Sequence, residues 1–195
     1  MKRREFVRSS MMASLAAMPF TQALAAGETL PPTPRDYEGP YYPVGDRNRT
    51  NDLIVGEPRQ QTLMFRGRVV DVDGRPLARA LVDIWQADSS GRYKHPRDQT
   101  AGERWDEFLY WGETSTGVDG SFEFRTYLPG DYGNRPAHIH FKVWKDRQRL
   151  LTSQMYFEQT GGARGASRNA AAAELQTVSL KDEGDDLSCY LQVVV

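Results

Sequence analysis

From Gln61 onward the chain is built of short runs in which apolar and polar residues alternate, cut by Asp-Gly, Pro-Gly and Ser-Gly. That period of two predicts strands. Thr62 to Val70 alternates weakly and is rich in β-formers; Asp73-Gly74 marks a turn, and Ala80 to Trp85 completes a strand pair ended by Ser89-Ser90-Gly91. Gln99 to Trp111 has no clear period and reads as irregular or weakly helical. Its Trp105, Phe108, Tyr110 and Trp111 are too densely aromatic for a solvated loop. After a second Asp-Gly turn, Ser121 to Tyr127 sets Phe122 and Phe124 against polar neighbours until Pro129-Gly130 breaks the run. His138 to Trp144, Leu151 to Phe157 and Leu187 to Val195 are further short β-rich segments. Six or more strands separated by turn signals predict an all-β fold, an antiparallel β-sandwich or barrel with long loops. One short Ala-rich helix, Arg168 to Leu175, follows the glycine-rich Gly161 to Gly165.

The amino-terminal 60 residues follow other rules. Lys2-Arg3-Arg4-Glu5-Phe6-Val7 is a basic start with paired arginines, Met11 to Phe20 is moderately apolar, and Ala23-Leu24-Ala25 offers small residues for a signal peptidase. Residues 1–25 therefore read as a twin-arginine signal peptide, which places the protein in the periplasm or outside the cell. The apolar stretch is roughly half of what spans a bilayer, so no membrane anchor is expected. Residues 26–60 read as an extended, Pro-rich arm carrying the aromatic patch Tyr37-Glu38-Gly39-Pro40-Tyr41-Tyr42-Pro43, and residues 61–195 as one catalytic domain.

Charge and cysteine usage narrow the partners. The formal net charge is -1, and removal of the leader takes away three net positive charges, so the remainder is mildly acidic. No nucleic acid is expected as a partner. Cys189 is the single cysteine and lies in the last strand-like segment, so an intramolecular disulfide is ruled out and an inert buried thiol is expected. Unpaired sheet edges and the aromatic patch are compatible with a homodimer and leave the oligomeric state open.

Two of the three histidines, His138 and His140, sit two residues apart in Arg135-Pro136-Ala137-His138-Ile139-His140-Phe141. On a strand both imidazoles face one side and Ile139 and Phe141 the other, a geometry suited to one metal ion. By itself, HxH more often marks two polar residues on a solvent face. Completing ligands come from tyrosines, carboxylates or His95. Carboxylates do not stand out, since Asp131 points elsewhere if Tyr132 faces the site. Tyr132, after Pro129-Gly130, and Tyr93, in Gly91-Arg92-Tyr93-Lys94-His95, do stand out. A phenol is a poor ligand for a soft divalent ion, but a hard trivalent cation lowers its pKa and binds the phenolate, so two phenolates with two imidazoles select ferric iron.

With these motifs the chain resembles the intradiol ring-cleavage dioxygenases, the family of protocatechuate 3,4-dioxygenase and catechol 1,2-dioxygenase. The resemblance covers about residues 37–157 and rests on several motifs together: Gly39-Pro40-Tyr41-Tyr42, Gly67-Arg68-Val69-Val70, Val82-Asp83-Ile84-Trp85-Gln86-Ala87-Asp88, Gly91-Arg92-Tyr93, Asp119-Gly120-Ser121-Phe122, Pro129-Gly130-Asp131-Tyr132 and the HxH segment. It implies an intradiol dioxygenase-like β-sandwich and a non-haem Fe(III) held by Tyr93, Tyr132, His138 and His140. The implied substrates are a small aromatic diol and O2, and the implied product is a cis,cis-muconate. It also implies that Tyr132 leaves the iron and takes a substrate proton, that Arg135 stabilises charge developing on the ring, and that Gln154 lines the substrate pocket.

The sequence departs from the cytoplasmic enzymes in one respect that matters. Only Gly133-Asn134 separates Tyr132 from Arg135, where those enzymes carry a longer insertion, and their helical amino-terminal dimerisation segment is missing. The chain thus resembles a short, exported branch with a more open pocket mouth. The competing reading is a non-catalytic β-sandwich binding module of the transthyretin or carboxypeptidase-regulatory type, which Gly67 to Ile84 also resembles. His95 takes a supporting or surface role, and the aromatics from Trp105 to Trp111, with Trp85, form core or pocket wall.

Overall fold

In the computed structural model, residues 29–45, 48–163 and 169–195 are described. The predicted export leader, Gly165 and the predicted helix start at Arg168 lie outside the described residues.

The described residues form nine strands in two facing sheets. In chain order they are β1 (Thr62–Val70), β2 (Leu81–Gln86), β3 (Trp111–Ser115), β4 (Ser121–Thr126), β5 (His138–Lys145), β6 (Gln148–Phe157), β7 (Thr177–Val178), β8 (Lys181–Asp182) and β9 (Asp186–Val194). One helix, α1 (Ala170–Gln176), is started by Asn169, whose side chain accepts from the Ala172 N–H at 2.8 Å. One sheet has the order β4-β1-β9-β8 and the other β3-β2-β5-β6-β7.

Alternation explains the packing. Leu63, Phe65 and Val69 of β1, Phe122 and Phe124 of β4, and Cys189, Leu191 and Val193 of β9 point inward from the first sheet. Val82 and Ile84 of β2, Ile139, Phe141 and Val143 of β5, and Leu151, Met155 and Phe157 of β6 meet them from the second. These inner faces form one core, the arrangement of a β-sandwich.

The sandwich is not purely antiparallel. β1 pairs with β9 in parallel, Leu63 opposite Leu187 and Val69 opposite Val193, and β6 pairs in parallel with β7. Alternation specifies which face of a strand is apolar and is silent on the direction of its neighbour. β3 is a second departure, a strand beginning where an irregular segment was expected to end. Its Trp-Gly-Glu-Thr-Ser carries no apolar alternation and is ordered by antiparallel pairing with β2, Ile84 opposite Gly112. The preceding stretch contains no helix, and Phe108 and Tyr110 are buried core, as their density suggested.

A two-residue turn joins β5 to β6, with Asp146 and Arg147 both at positive φ, the pattern of a type I′ hairpin. A bulge between Val143 and Trp144 shifts the register by one, and beyond it His140 lies opposite Gln154 and His138 opposite Tyr156. The outer face of β2, β5 and β6 therefore presents Asp83, Trp85, His138, His140, Lys142, Gln154 and Tyr156. The amino-terminal segment covers this face, held by Asp36 N–H to the Thr152 carbonyl (3.0 Å) and by Gln154 Nε2 to the Tyr37 carbonyl (2.6 Å). Further along, Leu53 and Ile54 enter the core.

Candidate active site

The histidine pair is set by β5. His138 Nδ1 lies 2.7 Å from the Pro136 carbonyl and donates to it, which fixes Nε2 as the nitrogen with a free lone pair. That atom lies 3.1 Å from His140 Nε2 and 3.4 Å from Tyr93 Oη. The His140 ring stacks on Trp85, its partner in the β2–β5 register, with centroids 4.8 Å apart and planes at 7°. Burial pushes the His138 imidazole down to about 4 and His140 well below its ordinary range; His138 and Arg135 add to the shift at His140. Both rings are thus neutral, the form that ligates a metal.

Tyr93 and Tyr132 come from separate loops that dock tightly. In the first loop, Asp88 Oδ1 accepts from Ser90 N–H (2.9 Å), Ser90 Oγ (2.6 Å) and Arg92 N–H (3.2 Å), while Asp98 accepts from the Tyr93 N–H (2.5 Å). In the second, Tyr132 and Arg135 close a tight turn by reciprocal backbone bonds of 3.1 and 2.9 Å around Gly133-Asn134. Asp131 Oδ1 accepts from the Ala137 N–H at 2.9 Å and so turns away from the site. Two glycines make the docking feasible. A Cβ on Gly91, whose φ is +81°, would lie 2.0 Å from the Asp131 carbonyl oxygen, and one on Gly130 would lie 2.4 Å from that of Ser89. The two tyrosine rings meet edge to face, centroids 5.6 Å apart. Burial raises the Tyr93 phenol far above its ordinary value, with Arg135 opposing, so only a strong local cation makes it a phenolate.

Arg135 and Gln154 also meet here. Arg135 Nη2 donates to Gln154 Oε1 at 2.7 Å and to Tyr156 Oη at 2.5 Å, and Tyr156 Oη donates to Gln154 Oε1 at 2.9 Å. Gln154 and Tyr156 are both neutral, so these bonds leave the guanidinium charge available to an anion in the site. His95 is buried beside the site, its Nδ1 accepting from the Arg97 N–H at 3.1 Å and its ring 5.4 Å from that of Tyr41.

Two residues of the site escaped sequence reasoning. Tyr41 Oη is 2.7 Å from Tyr132 Oη, and its ring is 4.8 Å from Tyr93. Burial and the bond to Tyr132 push its phenol up to about 12. The aromatic patch signalled packing, and its partner is this site. Tyr156 is the other; alternation along β6, two positions after Gln154, was the available signal.

The donor set suits a hard cation. Among the described residues no group of three or more His, Cys, Asp or Glu is placed to hold a metal, and the side chain that stands beside the histidine pair is the Tyr93 phenol. Tyr93 Oη and the two imidazole Nε2 atoms already converge, which fits a tyrosinate–histidine site.

Comparison with known proteins agrees with this geometry. A family model described as "Dioxygenase" matches residues 37–178. Catechol 1,2-dioxygenase 1 of Acinetobacter lwoffii is 37% identical over 148 residues, covering 65% of this chain and 46% of that protein. The protocatechuate 3,4-dioxygenase beta chain of Burkholderia cepacia is 35% identical over 158 residues, 71% of this chain and 67% of that one. This chain thus spans about half the length of the catechol enzyme it matches. Among solved structures, the dioxygenase domain of a dioxygenase carbohydrate-binding fusion from Streptomyces sp. SirexAA-E superposes with a TM-score of 0.69 at 30% identity, covering 85% of this chain and 98% of that one. For 3-chlorocatechol 1,2-dioxygenase from Rhodococcus opacus 1CP the TM-score is 0.64 at 25% identity, with 87% and 73% covered. Relatives of this kind generally use a non-haem Fe(III). The chain, with its two-sheet sandwich and its clustered tyrosines and histidines, belongs to the intradiol ring-cleavage dioxygenase family.

Proposed function

We propose that this protein opens the ring of a catechol with O2, between the two hydroxylated carbons, to a cis,cis-muconate, and that Tyr93, Tyr132, His138 and His140 hold the Fe(III) it requires. The observation that carries this reading is that His138 Nε2 lies 3.1 Å from His140 Nε2 and 3.4 Å from Tyr93 Oη, with the Tyr132 ring edge-on to that of Tyr93. Bound there, ferric iron supplies the Lewis acidity that deprotonates phenols and orients a chelating diol.

The chain's own groups supply the rest. His138 and His140, fixed by Pro136 and Trp85, form the rigid side of the shell. Tyr132 sits on a turn of two residues, and its hydroxyl is bonded to Tyr41 rather than packed into the core. It is the ligand suited to leave when substrate binds and to accept one catechol proton at Oη, with Tyr41 holding the resulting phenol. The Arg135 guanidinium, oriented by Gln154 and Tyr156, faces the negative charge that builds on the reacting ring. The aromatic layer of Trp85, Tyr93 and Trp111, with Tyr41, Tyr42 and Tyr132 packed on it, excludes water from one side of the site.

A metal-free binding module of the transthyretin type is not favoured, because the family match runs through Tyr93, Tyr132 and the HxH strand. The decisive experiment is oxygen uptake and product spectra of iron-loaded protein with catechol, protocatechuate, hydroxyquinol, chlorocatechols and gallate. The expected outcome is uptake of O2 with ring-opened product from at least one diol, by a protein coloured burgundy by tyrosinate-to-iron charge transfer. Tyr93→Phe should lose most of that band and activity. A colourless iron-loaded protein without uptake defeats the proposal.

A further inference from the structure

β5 carries a buried cation that the proposed chemistry does not use. Lys142 follows His140 by two positions and so shares its face of the strand. Its side chain is 3% exposed, and its Nζ meets the Glu38 carboxylate at 2.8 Å. The same ammonium lies 3.1 Å from the centroid of the Tyr42 ring. An ammonium withdrawn from water in this way is retained only where partners replace its hydration, and here a carboxylate and an aromatic face do so.

Both partners belong to one segment of five residues. Glu38 and Tyr42 bracket Gly39, Pro40 and Tyr41, and the bracketed residues touch the site itself. A Cβ on Gly39, at φ +76°, would lie 3.1 Å from His140 Cε1, so the backbone there is laid directly on the ligand ring. Tyr41 reaches Tyr132 Oη at 2.7 Å. Tyr42 is fixed at its far end by donating to Asp83 Oδ2 at 2.7 Å, and its ring stands edge-on to Trp85, the residue stacked on His140. Arg149 also approaches Glu38, at 3.7 Å. The segment is remote in sequence from β5 and has no strand or helix of its own. Its two ends are therefore pinned by side chains, with Lys142 common to both.

We propose that Lys142 is a positioning residue, the cation that clamps residues 38–42 over the His138/His140 strand and so holds Gly39 and Tyr41 against the ligands. The proposal rests on the metal reading given above. It makes the amino-terminal segment a structural part of the site, roofing His140 from one side while Trp85 supports it from the other. Loss of the clamp loosens the roof, exposes His140 to water and frees Tyr132 from its hydroxyl partner.

Two readouts test it: amide hydrogen exchange over residues 37–42 in metal-free protein, and the rate at which a chelator removes iron, followed by the charge-transfer band. Lys142→Met, which keeps the length and apolar stem, should speed both by about tenfold, whereas Lys142→Arg should match the parent because it preserves the ion pair and the cation–π contact. If Lys142→Met does not fold, Glu38→Gln, at a side chain 40% exposed, should show the same direction by about threefold. Unchanged exchange in these variants overturns the clamp. Faster exchange with unchanged iron release overturns its link to the site. A parent protein that takes up no iron overturns the metal reading instead, and metal-free exchange then still decides the clamp.

Discussion

Single residues decide whether the site closes. The loops carrying Tyr93 and Tyr132 approach so closely at Gly91 that any side chain meets the Asp131 carbonyl, and the φ of +81° is itself one that L-residues avoid. Gly91→Ala should cost on the order of 3 kcal/mol in urea unfolding and separate the two phenols. The measurable consequence is a weakened or shifted tyrosinate band in the iron-loaded variant. Substituting Gly133, where a Cβ meets nothing within 4 Å, removes no contact of this kind and is the control for backbone strain alone. Of the candidate site residues, Tyr93, Tyr132, His138 and His140 were legible beside turn signals or in strand alternation, and Arg135 and Gln154 through the family resemblance alone. Tyr41 was not, because nothing local distinguishes a tyrosine that covers a site from one that covers a surface.

At the level of elements, β5 divides its work between its two faces. Ile139, Phe141 and Val143 fill the core between the sheets, while His138, His140 and Lys142 build the site on the outside. Ile139→Ala should therefore lower stability by about 2–5 kcal/mol in chemical denaturation while leaving the position of the tyrosinate band in place. The face assignment follows from alternation alone. The partner facing does not, because the bulge after Val143 shifts the register by one, and a hairpin without it would set His140 opposite Ser153 and turn Gln154 toward the core. Strand β3 was illegible for a related reason: an edge strand ordered by pairing needs no apolar alternation.

For the molecule as a whole, the two sheets hold together through one core, and Cys189 of β9 reports on its opening. Burial pushes its thiol up to about 12 from an ordinary value of 9.0. At pH 8 alkylation should be slow in the folded protein and should rise to the rate of an ordinary thiol once urea unfolds it, as read by mass spectrometry. The folded state keeps the proton where the unfolded chain loses it, so this group's contribution is complete below pH 9 and declines as pH rises from 9 towards 12. The sequence by itself determined the sandwich class, the inward faces of its main strands, and the tyrosines and histidines proposed to carry the chemistry. Those properties are local: period, turn residues and side-chain type are written in neighbouring positions. Only the tertiary structure decided that β9 runs parallel to β1, that Gln154 and Tyr156 face the histidines, and that residues 38–42 roof the site through Lys142. Each depends on pairing or contact between segments far apart in the chain, where the energy lies in the match and neither segment alone records it.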